Sequence, residues 1–90
     1  MIDRFVDDDA GYLSWLRNHP AGFVLNCGRE PKHDYLVLHR AGCHTISGTP
    51  ARGDAWTIAF AKVCADGAGE LDSWAFERTG AHPSPCALCA

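Results

Sequence analysis

The sequence predicts a small α+β domain: a three-stranded, mostly antiparallel sheet and two helices in the order α-β-β-β-α, closed by a C-terminal cysteine knuckle. Three observations predict it. Two stretches, 8–18 and 67–80, carry apolar residues at helical spacing between residues suited to caps. Three runs, 22–27, 35–39 and 56–64, have strand composition and are separated by polar turns rich in Gly and Pro. The chain then closes on C-A-L-C, residues 86–89. Ninety residues fit one domain, and a core of that size is often marginal without a staple.

The first helix, DDAGYLSWLRN, starts on aspartates that suit a helix N-terminus through capping and the dipole. Tyr12, Leu13 and Leu16 form its apolar stripe, and His19-Pro20 ends it. GFVLNC is a short strand whose Phe23, Leu25 and Cys27 share a face, which makes Cys27 a core residue. The turn GREPKHD folds it back onto YLVLH as a hairpin. SGTPARGD, 47–54, reads as a loop. In WTIAFAKVC, alternation puts Trp56, Ile58, Phe60, Lys62 and Cys64 on one face, and the small Ala59 and Ala61 on the other, under a helix. That helix, over 67–80, presents Leu71, Trp74, Ala75 and Arg78 along one side and ends on Gly80. His19, His33 and His82 fall in loops.

Composition narrows the class. An apolar fraction of 47%, with three Trp, four Phe and two Tyr, is that of a globular chain. No run approaches the roughly 18 apolar residues of a membrane span. MIDRFVDDDA has no basic segment followed by an apolar one, so the expectation is a cytoplasmic protein. Five cysteines, an odd number without an export signal, argue against a disulfide framework and for a metal.

Cys86 and Cys89 form a C-x-x-C pair, the spacing with which one tight turn grips a tetrahedral ion. Redox proteins use the same pair, but there it opens a helix after a βα unit, which this tail lacks. A second half-site is expected where the hairpin ends, at His39 and Cys43. The expected ligands of Zn²⁺ are therefore His39, Cys43, Cys86 and Cys89, with Cys64 the rival to His39. Cys64 has a competing reading as a small buried hydrophobe.

These residues carry a resemblance. H-R-A-G-C-x-x-I at 39–46, then a strand, a helix with Ala75, Gly80, Pro85 and C-A-L-C resemble the Ada-like zinc domain, the metal-binding module of a bacterial alkyl-DNA repair protein. The resemblance covers residues 35–90 and leaves 1–34 as an added helix and strand. It implies a C-x₃-C and a C-x₂-C pair on Zn²⁺, carried over by position to His39, Cys43, Cys86 and Cys89. In that family the thiolate at the first position accepts a methyl group from a DNA phosphotriester. Imidazole is a poor substitute for that nucleophile, so His39 argues against methyl transfer and the expectation is a non-enzyme.

The resemblance implies a DNA-binding module, the recognition part of a defence, restriction or repair system; the basic middle and loop positions of the chain offer Arg40, His44, Arg52, Lys62 and Trp56 as the expected contacts. A formal net charge of −3, eight basic groups against eleven acidic, is poor footing for that reading. The alternative is a zinc-stabilised protein-interaction module, suited by the acidic first helix and by Glu70, Asp72 and Glu77 on the second. Neither reading calls for a membrane or a small-molecule substrate.

Overall fold

A computed structural model of the chain describes residues 2–47 and 55–88. It is α+β, with two helices and one mixed sheet. The elements are β1 (Ile2–Phe5), α1 (Asp9–Asn18), β2 (Phe23–Gly28), β3 (Leu36–Arg40), β4 (Phe60–Ala65), α2 (Ala68–Thr79) and β5 (Ser84–Pro85). The strand order is β1-β4-β2-β3-β5; β5 joins β3 in parallel and the other pairs are antiparallel.

The sheet thus has five strands where the sequence predicts three. β1 is only four residues long, and the aspartate run after it hides its alternation. It forms because Ile2 to Phe5 pair with Ala65 to Lys62. β5 is two residues, Ser84 and Pro85, with no strand propensity of their own. The N-terminal segment is no appendage either. β1 and β2 flank β4 on its two sides, so residues before and after 35 build one sheet.

The third predicted strand begins late, at Phe60 and not at Trp56. The backbone groups that a ladder would need there are already taken. Both Asp9 carboxylate oxygens accept from backbone: Oδ2 from Trp56 N–H and Oδ1 from Thr57 N–H, each at 2.8 Å. Arg29 Nη1 donates to Ile58 O at 2.7 Å. The three consecutive aspartates divide this work. Asp7, at a left-handed φ of 55°, forms a forked ion pair with Arg29. Asp8 caps α1, its Oδ1 accepting from Gly11 N–H at 2.9 Å. Asp9 clamps residues 56 and 57.

The two helices cover opposite faces of the sheet. On one face Leu25, Cys27, Leu36, Ala61, Val63 and Ala65 pack against Leu71, Trp74 and Ala75 of α2. This is the face on which Ala61 is expected under a helix. α2 starts with the Glu70 carboxylate accepting from Gly67 N–H at 3.2 Å. It stops at Gly80, whose φ of 75° suits a residue without Cβ. On the other face Tyr12 and Trp15 of α1 pack with Val24, Cys64, Ala41, Cys43, Ile46 and Trp56. Trp15, not Leu13 or Leu16, is the buried partner of Tyr12 in α1.

Candidate metal centre

The register of the shortest strand builds this site. β5 runs parallel to β3 with Val37 opposite Ser84 and Leu38 opposite Pro85. The next residue on each chain is His39 and Cys86, and Cys86 N–H donates to Leu38 O at 2.8 Å to hold that alignment. Cys43 arrives from the turn after β3. Ala41 N–H bonds to Gly22 O at 2.9 Å and Cys43 N–H to Arg40 O at 2.9 Å, which curls the chain back over the strand end. One ligand atom each of His39, Cys43 and Cys86 then lies within 4.8 Å of the others, a group able to hold a metal ion. His39 and Cys43 are buried and Cys86 is half-buried.

The protonation pattern favours coordination. Burial, and then the Lys62 ammonium, hold the His39 imidazole below its ordinary pKa, toward the neutral form that binds metals. Cys27, Cys64 and Cys86 are free thiols. A metal ion held by this group would take Cys43 and Cys86 as thiolates. Thr45 Oγ1 lies 3.0 Å from Cys43 Sγ and 3.3 Å from His39 Nδ1. A Cys43 thiolate would accept from that hydroxyl, which would then accept from His39 Nδ1–H and put the imidazole lone pair on the buried Nε2.

The fold also supports the turn from beneath. Tyr12, fully buried, donates its hydroxyl to Ile46 O at 2.6 Å, and burial pushes its phenol well above the usual range. Ser47 Oγ donates to Cys43 O at 2.8 Å. Thr45 and Tyr12 carry no sequence signal as site residues. A hydroxyl two residues beyond a ligand cysteine is the only hint.

Of the expected ligands, His39, Cys43 and Cys86 come together and Cys89 lies outside the described residues. The rival Cys64 is not in the group. It is fully buried beneath α1, where burial pushes its thiol up to about 12. Cys27 is core, as expected, on the α2 face. Of the expected nucleic-acid contacts, Arg40 and His44 are exposed, one residue beyond His39 and Cys43 respectively. Arg52 lies outside the described residues. Lys62 and Trp56 are only 4% and 8% exposed, which corrects their reading as surface contacts. Lys62 faces inward because β4 alternation sets it on the side of Cys64, and Trp56 because Asp9 turns its backbone into the core.

Compared with protein-family models, with curated proteins and with solved structures, the chain matches none. No helix among the described residues is long and apolar enough to cross a membrane.

Proposed function

We propose that this chain is a binding module locked by a structural zinc ion on His39, Cys43 and Cys86, with Cys89 as the fourth ligand. The convergence of one imidazole and two cysteine sulfurs within 4.8 Å carries the reading. Donors at zinc bond lengths of about 2.0–2.3 Å sit roughly 3.3–3.8 Å apart around a tetrahedron, so a small inward movement completes it. Thiolate and imidazole favour zinc over the oxygen-seeking Mg²⁺ or Ca²⁺. Four protein ligands leave no open position, which suits a structural ion and not a catalytic one. The test is metal analysis of reduced protein beside His39→Ala, Cys86→Ser and Cys64→Ala. One zinc per chain is expected in wild type and in Cys64→Ala, with loss in the other two. Zinc retained in His39→Ala but lost in Cys64→Ala would overturn the ligand set.

For the partner, the surface supports protein ahead of DNA. The DNA reading keeps Arg40 and His44, a small basic pair beside the metal ligands, in a chain of net charge −3. A labelled duplex at about 50 mM salt with micromolar protein decides between the two. A shift that weakens steeply with salt and is lost in Arg40→Ala would restore DNA as the partner.

A further inference from the structure

Among the described residues, the sheet face beneath α1 is only partly covered. Past Val24 and Cys64 it continues as Asn26, Val37, Lys62 and Phe60, and a cavity of about 440 Å³ opens over these residues. No residue of either helix lines it. Its walls include three aromatic rings, those of Trp56, Tyr35 and Phe60, the last two with centroids 5.2 Å apart.

Lys62 is the exception in this apolar setting. It is 4% exposed, and its Nζ donates to Asn26 Oδ1 and Trp56 O, both at 2.9 Å. An ammonium has three protons. The third meets no acceptor among the described residues, and no carboxylate there lies within 4.0 Å of Nζ. Asp9 is close enough to act on Lys62 through space, but its oxygens are already committed to Trp56 N–H, Thr57 N–H and the Thr57 hydroxyl. A buried cation offset only by neutral oxygens is costly, and one with a spare proton beside a cavity is matched to an anion. A second donor stands nearby. Tyr35 Oη accepts from Asn26 Nδ2 at 3.0 Å, which leaves its own proton to give.

We propose that this cavity binds a small aromatic monocarboxylate of one or two rings. Its carboxylate lies on the Lys62 ammonium and the Tyr35 hydroxyl, and its ring lies against Trp56 and Phe60. One cation and two donors match a single negative charge. A phosphate dianion would leave charge and oxygens unmatched among apolar walls. The volume falls within the usual range for small-ligand sites, about 300–1,000 Å³. The cavity shares His39 and Thr45 with the candidate metal centre, but the carboxylate donors do not belong to that centre and the inference does not require a bound ion.

The experiment titrates reduced, nitrogen-15-labelled protein, with and without added zinc, with 2-naphthoate, with neutral 2-naphthamide and with inorganic phosphate. Naphthoate is expected to saturate with Kd of about 1 mM or tighter, shifting the amides of Asn26, Trp56 and Lys62. Naphthamide should bind about tenfold more weakly. Phosphate should leave those amides unmoved. In Lys62→Met the preference for acid over amide should vanish. Equal binding of acid and amide by wild type overturns the proposal without recourse to a variant. So do the absence of naphthoate shifts at these residues, the same shifts with phosphate, or an undiminished acid preference in Lys62→Met.

Discussion

The two faces of the sheet are built by different rules. Beneath α2 the contact is continuous and apolar: Leu25, Val63, Ala61 and Ala65 against Leu71, Trp74 and Ala75, with Leu71 and Ala75 fully buried. Beneath α1 the same strands present Asn26, His39, Lys62 and Cys64, and burial there is completed by a phenol hydroxyl, a clamped carboxylate and a sulfur–imidazole group. The first face derives its stability from area removed from water. The second adds to its own apolar cluster a few directed bonds between residues far apart in the chain. One face holds the fold; the other holds the candidate chemistry, and each should fail in its own way.

The largest expected effect separates the two faces by removing the metal. Chelation of reduced, zinc-loaded protein should lower the Tm by at least about 15 °C, since structural zinc contributes several kcal/mol and each shifts Tm by about 4–8 °C in a domain of this size. Hydrogen exchange should show protection lost first around residues 41–47. An unchanged melting curve after chelation would mean that the second face holds itself together without an ion. The converse is Leu71→Ala, which should destabilise by about 2–5 kcal/mol in denaturant titration yet leave zinc stoichiometry unaltered. If it abolished metal binding, the two faces would be one cooperative unit.

Smaller changes probe the directed bonds. Asp9→Ala should cost about 2–3 kcal/mol, because it strands two backbone N–H groups and the Thr57 hydroxyl. Burial works to raise the Asp9 pKa, but the hydrogen bonds from Thr57 and Trp56 outweigh it and hold the carboxyl below its ordinary 3.8. Its contribution is therefore complete above pH 3.8 and is lost as the pH falls through the lower folded value. Asp9→Asn should accordingly flatten the acid limb of the stability profile, which urea titrations from pH 5 to pH 2 would measure. The smallest expected effect is Tyr12→Phe, about 1–2 kcal/mol from a carbonyl left without its donor, with a weaker hold on zinc in a chelator competition. A normal zinc affinity in Tyr12→Phe would show that the turn is positioned by Ser47 and the ligands alone.

The same division explains what could be read from the sequence. Helices, hairpin and the α2 core follow from periodicity and caps, since their contacts lie along single elements. The His39, Cys43 and Cys86 group was legible because ligand chemistry restricts which residues can meet. β1 was not: four residues carry too little alternation to stand out against Asp7, Asp8 and Asp9. Nor was the bend at 56–59, since Trp56, Thr57 and Ile58 have strong strand propensity that Asp9 and Arg29 override from 47 and 29 positions away. Alternation puts Lys62 on the correct strand face. Its partners, Asn26 Oδ1 and Trp56 O, depend on a register and a bend that no local pattern encodes, so its burial was hidden.

The strand order has a kinetic consequence. β4 is central, yet it lies late in the chain, and Ile2 pairs with Ala65 while Asp9 closes on Thr57. The β2–β3 hairpin, the helices and the packing of α2 on the adjoining β4 form from near neighbours. The pairings of β4 with β1 and β2 and of β5 with β3 require the closing of long loops before any contact repays their entropy. On a ribosome the first strand would wait unpaired until β4 emerged, and Cys86 would follow later still. A metal ion taken up by His39, Cys43 and Cys86 would therefore arrive late, as a seal on a sheet already formed.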